Sequence, residues 1–169
     1  KTVMVCRPGL AHERLTPTNC SDLLYDDVIW VEQAKRDHRD FVSKIEERGV
    51  RVLEMHDLLE QVLDLPEGRK YILDRRIIPG YIGVLMAKEV RPWLDEMPSA
   101  KLASHLIGGI APSELPFSHE GIFSSYMDDD GFVLAPLPNS TFTRDTTCWI
   151  YGGVTLNPMF WPARRQETL

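Results

Sequence analysis

Apolar positions in this chain recur with two different periods, and the change from one to the other divides it. Residues 2–6 (TVMVC) are a short, continuous apolar run of the kind that forms a central strand, ended by Arg7-Pro8-Gly9. From about residue 28 or 30 to residue 48, Val31, Ala34, His38, Phe41, Val42 and Ile45 recur at steps of three and four. Glu32, Lys35, Arg36, Arg39, Lys44 and Glu47 cover the rest of that cylinder. This spacing predicts an amphipathic helix, with Gly49 as its stop. Residues 50–54 (VRVLE) then read as a second strand. Strand, loop, helix and strand together make an α/β unit. The loop, residues 10–27, mixes Pro17, Asn19 and Ser21 with Leu23, Leu24 and Tyr25. It reads as ordered and able to line a site, or equally as a surface loop pinned by its leucines.

After Met55 the helical period takes over. Residues 56–65, 67–78, 87–97 and 99–107 each predict a short helix, separated by Pro66, Pro79-Gly80 and Pro98. Leu58, Leu59, Leu63, Leu73, Trp93 and Leu94 are among the residues that would close a small helical cluster. Residues 108–131 are irregular, and residues 132–135 resume a strand. In LAPLPNSTFTRDTTCWIYGG, which begins at Leu134, Pro136 and Pro138 stiffen the approach and Asn139-Ser140 form a turn. The β-branched and aromatic run from Thr146 to Tyr151 predicts a buried strand. Gly152-Gly153 turns it back into Val154-Thr155-Leu156 as a hairpin. The expected organisation is therefore an α/β part over residues 1–55, an inserted helical bundle over 56–110, and an irregular loop returning to strands over 111–169. No internal repeat or low-complexity tract interrupts it.

Composition narrows the function. The 169 residues are 43% hydrophobic and 26% charged, ordinary for a globular protein, with a net charge of -6. No basic stripe is present, which argues against a nucleic-acid partner. No apolar run approaches the roughly 18 residues of a membrane span, and the N-terminus lacks the apolar core of a signal peptide. Cys6, Cys20 and Cys148 are odd in number and widely spaced, which is neither a disulfide framework nor a zinc pattern and suits a reducing cytoplasm. The chain starts directly in a strand without Met and ends on what reads as the opening of a helix, so it is expected to be part of something longer.

The candidate chemistry centres on Asp145, at the mouth of the predicted strand. A carboxylate held there could recognise a planar cation, because a guanidinium fork of N–H donors matches two carboxylate oxygens. It could also cap a turn or pair with the adjacent Arg144. His38, on the apolar stripe, reads as a packed core histidine. Arg69-Lys70 and Arg75-Arg76 read as a solvated face among Asp64, Glu67 and Asp74. His119-Glu120 and Asp128-Asp129-Asp130 lack the alternating ligands and later bidentate Glu of a calcium loop, so no metal site is expected there. Cys148 reads as a buried, inert strand cysteine.

Two long motifs carry a family resemblance. TRDTTCWIYGGVTLNPMFWPARRQET resembles the corresponding run of bacterial arginine deiminase. VMVCRPGLAHERLTP with LLYDDVIWVEQAKRDH resembles that family's N-terminal segment. The resemblance spans almost the whole chain and is weakest between about residues 64 and 130. It implies part of a pentein α/β propeller, built of ββαβ units, with a small helical bundle inserted. It also implies hydrolysis of L-arginine to L-citrulline and ammonia through a cysteine thiouronium intermediate, with no metal or organic cofactor.

By motif, the resemblance makes Asp145 the group that grips the guanidinium and Phe142 a packing surface for its planar end. Asn139 and Arg164 become ligands of the amino-acid end, Arg164 pairing with the α-carboxylate, and Leu24 offers a backbone contact. Read without the family, Arg164 is an ordinary surface helix charge. The family's glycine-rich nucleophile motif, its His, its Glu and its second Asp have no match in these residues, so the expected partners are L-arginine and the remainder of a full-length enzyme. Exposed strand edges would favour a homo-oligomer. The alternatives are another pentein hydrolase of agmatine or methylarginine, for which Arg164 discriminates, or a non-catalytic interaction domain.

Overall fold

A computed structural model describes residues 1–117 and 131–168. The strands and helices take the order β1 (Thr2–Val5), α1 (Leu10–Glu13), α2 (Val31–Glu46), β2 (Arg51–Glu54), α3 (Met55–Leu63), α4 (Pro66–Arg76), α5 (Pro79–Ile82), α6 (Val84–Asp95), α7 (Ser99–Gly108), β3 (Thr147–Ile150) and β4 (Gly153–Leu156), with 3-10 turns at Pro112–Glu114, Pro138–Thr141 and Pro162–Thr168. β1 and β2 pair in parallel, Thr2 opposite Arg51 and Val5 opposite Glu54, with α2 as the crossover. β3 and β4 form an antiparallel hairpin, Thr147 opposite Leu156. The fold class is mixed α/β, and no closed propeller is present among the described residues.

The main core is helical. Leu63, Leu73, Val90, Leu94 and Leu102 bury one face each of α3, α4, α6 and α7, and Ile110, Val133 and Leu134 close the cluster. Prolines punctuate it as expected, because Pro66 and Pro79 sit in first helical turns, where a missing N–H costs nothing. Pro79-Gly80 opens the one-turn α5 rather than a plain loop, and α6 starts at Val84, ahead of the expected residue 87. At the end of α7, Gly109 has φ 83, and a Cβ there would come within 2.6 Å of the Leu134 carbonyl oxygen. Only glycine lets the chain leave the helix so close to that backbone.

Several expectations are corrected. Arg69 and Arg76 do not lie on a solvated face. Arg69 reaches the carbonyls of Leu63, Leu94, Asp95 and Met97, and Arg76 is buried with Nη2 on the carbonyls of Leu106 and Ala135. Carbonyls at helix ends lack intrahelical donors, and a guanidinium supplies several at once. Lys70, paired with Asp74, is exposed as expected. Residues 132–135 form no strand beyond a single bridge between Ile110 and Leu134. Part of the 10–27 loop is helical, as α1.

The hairpin is not buried either. Trp149, Ile150, Tyr151 and Leu156 are exposed, and so is Cys148. A two-stranded ribbon has no second layer to cover its apolar face. His119, Glu120 and Asp128–Asp130 lie outside the described residues.

Candidate functional site

The 3-10 turn Pro138–Thr141 brings the LPNSTFTRD segment against the N-terminal loop. Buried Asn139 donates from Nδ2 to the Leu23 carbonyl oxygen at 2.7 Å, and its own carbonyl accepts from Phe142 N at 2.9 Å. Tyr25 Oη donates to the Pro138 carbonyl at 3.2 Å. Leu24, between those two anchors, has φ 64, a left-handed conformation that costs a non-glycine residue roughly 1–2 kcal/mol.

Asp145 stands in the turn before β3, and that turn is tied down on several sides. Thr143 Oγ1 donates to the Met4 carbonyl in β1 at 3.0 Å, and Thr147 Oγ1 donates back to the Thr143 carbonyl at 3.3 Å. Asn157 Nδ2 donates to the Asp145 carbonyl at 3.1 Å. The backbone is thereby fixed while the side chain stays half exposed, at 50%.

Its partner is Arg164 and not the neighbouring Arg144. Arg164 Nη1 donates to Asp145 Oδ2 at 2.7 Å. Arg164 is itself buried, so it is not a free surface charge. Its Nε donates to Glu167 Oε1 and Oε2 at 3.1 and 3.0 Å, its Nη2 to Glu167 Oε2 at 2.8 Å and, more weakly, to the Asn139 carbonyl at 3.5 Å. The 3-10 turn explains the pairing, because side chains three apart eclipse in that helix. Phe142 completes the group, with the Arg164 guanidinium carbon 6.0 Å from its ring centroid.

Burial works against the Arg164 charge, but the hydrogen bonds to Glu167 and Asp145 outweigh it and hold the group above its ordinary value. Burial pushes the Glu167 carboxyl up, against the pull of Arg164. These directions oppose each other across one pair, and the guanidinium fork on both carboxylate oxygens fits the ionised state. One cation between two carboxylates leaves a single negative charge in excess, which favours a cationic ligand.

Asn139, Phe142, Asp145 and Arg164 are thus in direct contact, and Leu24 adjoins the Leu23 carbonyl that Asn139 holds. Glu167 was not foreseen; its spacing from Arg164 in a first helical turn was the available signal. His12, whose Nε2 lies 3.1 Å from the Oη of the loop residue Tyr25, was not singled out, because the two meet only in the folded chain. Among the described residues, no helix is long and apolar enough to cross a membrane. In comparison with known protein families, residues 21–169 match the family described as Arginine deiminase.

Proposed function

Because the chain belongs to the arginine deiminase family, we propose that its Asp145 cluster holds the guanidinium of L-arginine during hydrolysis to L-citrulline and ammonia. Water supplies the oxygen of citrulline, and the C–N bond to the departing ammonia is the one that breaks. In this reading a cysteine thiolate outside these motifs attacks the guanidinium carbon and forms the thiouronium intermediate. Asp145 contributes charge and orientation to that step and no covalent bond.

One observation carries the reading: the Asp145 carboxylate already accepts a guanidinium N–H, that of Arg164, at 2.7 Å. Oδ1 has no partner among the described residues, and the side chain is half exposed. A guanidino substrate brings the same fork of donors and would satisfy that oxygen. Phe142 is exposed beside it and can cover a planar group. The guanidinium and α-carboxylate of extended arginine lie about 6 Å or more apart. Asp145 can take the guanidinium on its other oxygen while Arg164 meets the carboxylate, and Glu167 is the counter-ion that stays with Arg164.

Replacing Asp145 with Ala in the full-length protein tests the reading. Citrulline formation should fall by about two orders of magnitude or more, since a charged hydrogen-bond partner is removed. Near-normal turnover would remove the pocket assignment. Agmatine, which has no carboxylate for Arg164, should be the poorer substrate; equal rates would shift the reading to another guanidino hydrolase.

A further inference from the structure

A second cluster of side chains lies apart from Asp145, where the two parallel strands end. Val5 pairs with Glu54 at the last rung of β1 and β2, so Cys6 emerges beside that carboxylate and His56 follows it in the first turn of α3. The C-terminal edge of parallel strands is where α/β proteins place ligand sites. His56 Nδ1 is 3.1 Å from Glu54 Oε1 and 3.9 Å from Cys6 Sγ, and the three donor atoms all lie within 4.8 Å of one another. Tetrahedral zinc, with bonds of roughly 2.0–2.3 Å, separates its donors by about 3.3–3.8 Å. The cluster is thus near the required size, and its mixed sulfur, nitrogen and oxygen set suits zinc better than magnesium or calcium.

Two further observations point the same way. His38 Nε2, buried and without a hydrogen-bond partner, stands 3.7 Å from Glu54 Oε2, reaching it from α2. That separation is longer than a hydrogen bond, but it puts an imidazole behind the carboxylate, where ligating carboxylates commonly have an outer partner. A cavity of about 660 Å³, lined by His38, Glu54 and His56, gives an ion an approach and leaves room for water. Of the nearby cations, Arg7 Nη1 lies 2.9 Å from Asp57 and 3.8 Å from Glu54 Oε1, an oxygen that also accepts the Arg7 N–H at 3.0 Å, while Lys35 is drawn to Glu13 and Glu32 at 2.9 Å each.

We propose that Cys6, Glu54 and His56 bind a zinc-class divalent ion, with water in the fourth position and His38 positioning Glu54. As the ion enters, the thiol proton of Cys6 leaves to solvent and a sulfur–metal bond forms. His56 binds through Nδ1, so its remaining proton sits on Nε2. Such an ion would pin the ends of β1 and β2 to α3, and through His38 to α2, none of whose residues is buried.

Chelator-treated full-length protein titrated with cobalt(II) chloride tests this. The expected result is a thiolate-to-cobalt charge-transfer band with strong tetrahedral visible bands, both removed when zinc chloride is added. Cys6→Ser should abolish the charge-transfer band, and Cys148→Ser should leave it intact. His56→Gln should weaken cobalt binding at least about 10-fold, and His38→Gln should weaken it roughly 10-fold without removing the band. Far-UV circular dichroism checks that each variant is folded, and His56→Gln tests the site with the thiol still present. No band in the wild type, a band that survives Cys6→Ser, or unchanged affinity in His56→Gln would overturn the proposal. Because Asp145→Ala should not alter the cobalt spectrum, failure here is separable from failure of the guanidino reading.

Discussion

Asn139 Nδ2 donates to the carbonyl oxygen of Leu23 at 2.7 Å, joining residues 116 positions apart. Both partners are buried, so the carbonyl has no water to turn to when the amide is lost. Asn139→Ala should therefore destabilise the protein by about 1–3 kcal/mol, the cost of an unsatisfied buried acceptor. Urea unfolding followed by circular dichroism measures it, and a loss within 0.3 kcal/mol, or roughly the scatter of such measurements, would show that the contact contributes little.

Leu24 separates stability from function at the same place. Its φ of 64 favours glycine, and its side chain is partly exposed, so Leu24→Gly removes strain and little packing. Unfolding free energy should stay constant or rise by up to about 1 kcal/mol. If the ordered backbone serves the substrate, KM for arginine should rise in the same variant, since glycine frees the loop before binding. Lower stability would mean that Leu24 is packed rather than strained.

Asp145 and Glu167 share Arg164 but should fail differently. Asp145 is half exposed, so Asp145→Asn should change stability by no more than about 1 kcal/mol while suppressing turnover. The Glu167 side chain is 1% exposed against an Arg164 side chain that is 10% exposed. Glu167→Gln leaves that guanidinium buried without its main counter-charge and should cost roughly 3–5 kcal/mol. Thermal unfolding and citrulline assays on both variants separate the roles; equal stability losses would show that the two carboxylates are interchangeable supports.

The parts of this fold that read directly from sequence are those governed by local rules. The helical spacing from Val31 to Ile45, the stop at Gly49 with φ 70, and the prolines at the α3–α4, α4–α5 and α6–α7 boundaries each act within a few residues. What failed depends on what lies across the chain. The Thr147–Ile150 strand was expected to be buried because β-branched and aromatic residues usually are, yet nothing among the described residues packs over Trp149. Arg69 and Arg76 read as surface charges until carbonyls, most of them 25 to 59 positions away, are brought to them. The Asp145 cluster was legible through its motif, but the pairing of Arg164 with Asp145 and Glu167 was not, since two arginines in a short turn carry no mark of which one turns inward.

His12 supplies the pH dependence. The Gly9 N–H donates to its Nδ1 at 3.3 Å, so the ring proton sits on Nε2, which meets Tyr25 Oη at 3.1 Å; Tyr25 in turn donates to the Pro138 carbonyl. Burial holds His12 below its ordinary value of 6.5, and the chain of donors leaves no place for a second proton without breaking the Gly9 contact. A depressed folded value means that the unfolded chain binds the proton first. The stability contributed is therefore complete above pH 6.5 and is lost as pH falls through the folded value. Glu54, held below its ordinary 4.5 by His56 and Arg7 despite burial, adds a second loss further into acid. Unfolding free energy should thus fall from pH 7 toward pH 5, by no more than about 1.4 kcal/mol per pH unit for one proton. His12→Gln should be less stable at pH 7 yet flatter between pH 7 and 5, because glutamine cannot take up the proton. A His12→Gln profile parallel to the wild type across that range would place the acid sensitivity in another group.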